Sequence, residues 1–333
     1  MASPRQNSAS KTCRLIVFTT ACLFTTGVAT LSALDLEWVT VADPGNPPDR
    51  TGFGAVAYEF QIGKYEITIA QYAEFLNAVA RKPAHGLENS EFNRSMRSGE
   101  PGSFVYTPPP GSEMKPMGSV SFLDAIRFAN WMHNGCGSAN TEHGAYNIEE
   151  LGAFAPREPG AQVWIPSEDE WYKAAYYQPE GKGGPPGGYW LYPTRSGNTP
   201  EFDEAGSLQP NQANYAPIHF HRWDGFLFRK ATDTLPVGSY PNSASYYGTL
   251  DQGGNVWEWN EAIVFKTQRG LRGGCVVNTF EKMRSWVRAY VPPERCNFNH
   301  MPAGFRVARA VPAPISSNLR ERTSAPLKTG SFR

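Results

Sequence analysis

Apolar positions fall at helical spacing in three stretches. Ile69, Tyr72, Phe75, Leu76 and Val79 recur at intervals of three and four and so share one helix face. Thr68 and Gln71 stand at its start as reciprocal caps, so the pattern predicts a helix ending near Ala80. Phe122, Ile126, Ala129 and Met132 mark a second helix, capped by Ser121 and running to about His133. A third starts after Pro166, with Ser167 and Glu170 as caps and Trp171, Ala174 and Ala175 facing inward. Shorter apolar runs at 36–41, 55–67, 163–165, 271–277, 284–291 and 305–308 read as strands. Residues 82–118, with three prolines at 108–110, read as a long surface excursion, and 136–158 as loop. Beyond Tyr189 no long helix is expected.

The two ends differ from the middle. Arg5, Lys11 and Arg14 precede an apolar run at 15–29, and small residues at 27–29 and 31–33 offer cleavage points. Residues 1–33 therefore read as a secretory signal peptide. The run is short for a span of about 20 apolar residues, and a retained anchor is the alternative. Past 311 the chain turns to Pro, Ser, Arg and Lys, and 313–333 is expected to be a disordered tail. No repeat or composition break interrupts 34–312, which is expected to be one domain. The expectation is an exported protein, periplasmic or extracellular, with no membrane span after cleavage. Cys13 and Cys22 leave with the signal, while Cys136, Cys275 and Cys296 stay. One disulfide with one free thiol, or three buried thiols, both fit that odd number.

Charge narrows the partners. Lys plus Arg and Asp plus Glu each number 31, so the formal charge is zero. A nucleic-acid or anionic-membrane binder would need a basic surface, and neither is expected. With 32 Gly, 28 Pro and 13% aromatic residues, the core should consist of large rings joined by many turns.

The densest chemistry lies at 251–259, where Asp251, Gly253, Gly254, Val256, Trp257, Glu258 and Trp259 stand together. Carboxylates beside glycines, whose carbonyls can turn inward, suit a hard cation such as calcium, with six to eight oxygen ligands. A salt-bridged turn is the plainer reading. His219 and His221 would share one side of a strand, but no third ligand is evident, so a surface pair is expected.

Several pieces in order resemble the formylglycine-generating enzyme family, the sulfatase-modifying factors. They are Gly63-Lys-Tyr-Glu-Ile-Thr68 with Gln71-Tyr72; Pro116-Met-Gly-Ser-Val-Ser121 with Ala129-Asn-Trp131; Ile165-Pro-Ser-Glu-Asp-Glu-Trp171; Pro236-Val-Gly-Ser239; Gly254-Asn-Val-Trp-Glu-Trp259; Arg272-Gly-Gly274; and Gly304-Phe-Arg306. The resemblance covers about residues 36–310. It implies a single α+β domain with little regular secondary structure, related to the C-type lectin fold. It implies one calcium site at Asp251, Gly254, Val256 and Glu258, and another at Asn214, Tyr215, Asp224 and Phe226. Trp257 becomes a wall of the substrate groove. Arg272 and Arg306 are read as partners of internal carboxylates.

The family's oxidase activity rests on copper(I) held by two cysteine thiolates, four and nine residues past the second glycine of Arg-Gly-Gly. Here those positions are Asn278 and Met283, so copper is not expected. Cys275 follows the glycine pair and is the sole catalytic candidate, against a plainer role as a small buried residue. Three functions stay open: residual oxygen-dependent activity on a peptide; a calcium-stabilised extracellular binding module for a glycan, peptide or protein; and a different metalloenzyme on the same fold. The mature chain should begin between about Thr30 and Asp35. N-terminal sequencing of exported protein that still reads from Met1 would identify a retained anchor instead.

Overall fold

The computed structural model describes residues 34–312 except 139, 204, 218–232, 296, 299 and 300. The chain begins with β1 (Trp38–Val41) and β2 (Phe60–Gly63), an antiparallel pair registered from Trp38↔Gly63 to Val41↔Phe60. Helix α1 (Ile69–Val79) follows on the expected capping box. The Thr68 hydroxyl accepts from Gln71 N at 3.2 Å, and the Gln71 side chain accepts from Thr68 N at 2.9 Å. Two of the four orphan N–H groups of the first turn are thereby satisfied.

The excursion at 82–118 differs from its expectation. It holds α2 (Glu91–Met96) and a hairpin of β3 (Arg97–Ser98) with β4 (Val105–Tyr106). Leu87, Met96, Phe104 and Tyr106 are buried in the main core. They are spaced too irregularly for a helical or strand period to show. Helix α3 (Phe122–His133) starts at Ser121, whose hydroxyl accepts from Asp124 N at 3.0 Å. The segment read as loop contains α4 (Ile148–Leu151) and the fully buried Tyr146.

Strand β5 (Val163–Trp164) leads into α5 (Glu168–Tyr176), which carries the Ser167–Glu170 capping box as expected. No α-helix occurs after α5 among the described residues. The longest strand is β6 (Trp257–Val264), which sequence reasoning treated only as a binding segment. It pairs with β7 (Gln268–Arg272), which in turn pairs with β8 (Ala289–Val291). The last strands are β9 (Asn297–Phe298), β10 (Met301–Gly304) and β11 (Ala308–Ala310). Sequence reasoning extended the strands beginning at 271 and 284 too far, because Gly273 and Gly274 at positive φ end β7 and only 289–291 pair.

Two sheets result. One has the order β1-β2-β11-β5 and the other β8-β7-β6-β10-β9. The segment joining β10 to β11 carries Phe305, Arg306 and Val307, all fully buried. Phe305 meets Phe128 of α3 edge-on at 5.2 Å, and Phe128 stacks on Tyr72 of α1 at 6.0 Å. Rings from both helices and the inter-sheet segment thus form one aromatic core, in which such pairs add to area burial. The fold is α+β with modest regular structure, and the turn from one sheet to the other places Arg306 beneath β6.

Candidate functional site

The 250–259 segment is built around contacts that only glycine permits. Gly254 sits at φ +86°, and a Cβ there would lie 2.2 Å from the Asn214 carbonyl oxygen. Its N–H donates to Gly273 O at 3.0 Å, joining this segment to the Arg-Gly-Gly turn. Gly273, at φ +94°, likewise leaves no room for a Cβ, which would meet Gln252 O at 2.7 Å. These close approaches account for glycines beside carboxylates. Asn255 then pins three loops. Its N–H donates to Asn214 O at 2.8 Å, its Oδ1 accepts from Leu235 N at 3.0 Å, and its carbonyl accepts from Val276 N at 3.0 Å.

Glu258 is fully buried, opposite Arg272 on β7 and beside Gly304 on β10. Its cation is nevertheless Arg306, whose Nε and Nη2 reach the two carboxylate oxygens at 2.7 Å each. Trp171 Nε1 donates to the same carboxylate at 2.8 Å. Arg272 turns to α5, where its Nε donates to Glu168 at 2.8 Å, and Arg288 makes a forked pair with that carboxylate at 2.6 Å. Both arginines therefore hold internal carboxylates, as the sequence suggested, although Glu168 and Arg288 were not singled out.

Two more carboxylates lie close to Glu258. Asp251, at φ +61°, accepts from Gly238 N through Oδ2. Glu66 is 1% exposed, and neither of its oxygens has a hydrogen-bond partner among the described residues. Burial, then the charges of Asp251 and Glu258, push the Glu66 carboxyl well above its usual range against the pull of Arg306. Burial likewise raises Asp251 from 3.8 to about 6. Three acids share one guanidinium, so the cluster favours a proton or a cation. Glu66 was missed because it reads as one polar position in a strand-like run.

For calcium, the oxygen chemistry of Asp251, Gly254, Val256 and Glu258 fits in part. Asp251 and the orphaned Glu66 supply negative charge, but both Glu258 oxygens are already taken by Arg306. Among the described residues no three His, Cys, Asp or Glu side chains converge as a metal group. Of the other expected set, Asn214 bridges to Gly254, and its Nδ2 donates to Asn255 Oδ1 at 3.1 Å. The Tyr215 hydroxyl donates to Pro200 O at 2.7 Å. Asp224 and Phe226 lie outside the described residues, as do His219, His221, Cys296 and the terminal segments 1–33 and 313–333.

Asn278 and Met283, the residues that the resemblance sets at the family's copper positions, face different surroundings. Asn278 lines a groove of about 600 Å³ together with Trp257. Its amide oxygen accepts from Cys275 N at 3.0 Å and lies 3.2 Å from the Cys275 sulfur. Met283 is 1% exposed and packs with Tyr192, Ala213 and Tyr215. An amide and a buried thioether, neither anionic, do not fit a site that needs two thiolates. Cys275 is itself fully buried, and burial pushes its thiol up to about 12, leaving almost no thiolate at neutral pH. Cys136 and Cys275 are both free thiols.

The sulfatase-modifying factor enzyme 1-like domain model matches residues 10–311, and the chain belongs to that family. It is 26% identical over 226 residues to the formylglycine-generating enzyme of Mycobacterium tuberculosis (strain ATCC 25618 / H37Rv). That match spans 63% of this chain and 66% of the relative, just under two thirds of its length. Among solved structures, CarF is similar at 18% identity and a TM-score of 0.49, over 84% of this chain and 100% of that one. Treponema denticola variable protein 1 is similar at 17% identity and a TM-score of 0.47, over 85% and 98%.

The acid cluster makes stability depend on pH. A carboxyl whose folded value lies above its unfolded one favours the folded state most at low pH, and that advantage is lost as pH rises through the folded value. For Asp251 the window runs from 3.8 to about 6, and Glu66 extends it upward. In the presence of chelator, Glu66→Gln should therefore raise the melting temperature more at pH 8 than at pH 5. Equal shifts at both pH values would mean that Glu66 carries no charge penalty.

Proposed function

We propose that this chain is an exported sulfatase-modifying factor family protein that does not perform copper-dependent oxidation and uses the groove beside Trp257 to hold a peptide segment of a partner. The observation that carries this reading is the donor set, with Asn278 and Met283 where the chemistry needs two thiolates. An oxidase of this kind must bind copper(I) tightly and leave it open to oxygen, and soft anionic sulfur does both. Asn278 offers a hard, neutral oxygen already engaged with Cys275. Met283 offers a soft but neutral sulfur, buried away from solvent. Cys275 does not make good the loss, because its thiol stays protonated. The groove is lined by the edge of a buried indole and by Asn278, which suits binding without a reacting centre.

The direct test incubates a sulfatase-type cysteine peptide with the full-length protein, copper and reductant, and reads the product by mass spectrometry. Unchanged thiol mass is expected. Conversion of the cysteine to formylglycine would overturn the reading.

Calcium is part of the same proposal, held by Asp251 and the carbonyls of Gly254 and Val256, with Glu258 oriented by Arg306. Glu66 adds charge that a cation would neutralise. An ion bound only by the folded state stabilises it by about 2.7 kcal/mol at a hundredfold excess over its dissociation constant. Calcium should raise the melting temperature at pH 8, and Asp251→Asn should remove most of that gain. Identical melting in calcium and in chelator would eliminate the ion.

A further inference from the structure

The groove beside Trp257 has one charge sign. Lys282, Arg288 and Arg295 line it, and among the described residues no carboxylate does. The whole chain is neutral, so this is a local arrangement rather than a reflection of net charge. Arg288 is committed to Glu168, while Lys282 and Arg295 are exposed at the rim. Glu281 beside Lys282 is engaged by the Thr279 hydroxyl.

Two further features point to a ligand. Trp257 is 2% exposed, and its Nε1–H has no acceptor among the described residues. A buried indole N–H is a donor only and costs free energy when it is left unpaired. Strand β8 also lines the groove through Ala289, Tyr290 and Val291 and forms one edge of its sheet. Tyr290, 41% exposed, presents a ring beside that edge.

We propose that the groove recognises an acidic extended peptide, held with its carboxylates toward Lys282 and Arg295 and an acceptor toward Trp257 Nε1. This rests on the peptide-groove reading above and adds the charge of the ligand to it. The cationic rim supplies selection, because an acidic side chain is attracted where a basic one is repelled. An exposed cation contributes modestly per contact, so two rim cations imply a preference of about fivefold to tenfold over a neutral peptide. That preference should shrink as salt rises.

The test uses the full-length protein and three fluorescein-labelled peptides, alternating Thr with Glu, with Gln or with Lys, followed by anisotropy. The Glu peptide should bind most tightly and the Lys peptide least. The double variant Lys282→Glu with Arg295→Glu changes only exposed side chains, and it should reverse that order. Trp257→Phe, checked for folding by circular dichroism, should weaken all three without changing their order. Equal binding of all three overturns the acidic preference and leaves the peptide groove standing. No binding of any peptide overturns both. A Glu preference that survives the double charge reversal also overturns the proposal, because the charge would then be read elsewhere.

Discussion

All five N–H donors of Arg306 are used inside the protein. Nε and Nη2 grip Glu258, Nη1 reaches Gly63 O and Lys64 O at 3.0 Å each, and Nη2 also reaches Leu250 O at 2.9 Å. One side chain thus ties the end of β2, the start of the 250–259 segment and the floor of β6 to the turn between the two sheets. A guanidinium is suited to this role because its planar fork fixes direction as well as charge. A buried ion pair of this kind adds little net stability over an apolar pair. Removing one partner typically costs about 3–5 kcal/mol, because the other charge is left uncompensated. Its effect is to fix which chain segments meet, and the candidate site is assembled from those segments.

The second ionic knot, Glu168 with Arg272 and Arg288, works on the opposite side of β7. Arg272 also donates through Nη1 to Ser285 O at 2.6 Å and Val287 O at 2.9 Å. That holds in place the stretch between Met283 and β8, which forms a wall of the groove. The position of Met283 therefore follows from an ion pair with no role in metal chemistry. Arg306 with Glu258 and Arg272 with Glu168 hold this frame, and neither knot uses the side chain of Asn278 or Met283.

Local signals were legible in the sequence. The caps at Thr68, Ser121 and Ser167 lie three residues from their partners, so a linear reading captures both halves of each interaction. The motif order was legible too, and with it the family. The partners of Arg272 and Arg306 were legible as a type, internal carboxylates, but Glu168 could not be named from a position 104 residues away. Glu66 was invisible for the same reason, since its meaning depends on Asp251 and Glu258, which reach it through the fold. Strand β6 was obscured because both faces of Trp257–Asn260 are buried, so no alternation of apolar and polar positions marked it. The small helix and hairpin between 82 and 118 have too few residues to display a period.

We propose that an intact scaffold here carries a site unable to hold copper. Loading the full-length protein with copper(I) under reductant, removing unbound metal and quantifying copper per chain by mass spectrometry tests this most directly. Copper far below one equivalent is expected, because Asn278 and Met283 offer no thiolate and Cys275 stays protonated. Close to one copper per chain, retained through desalting, would contradict it.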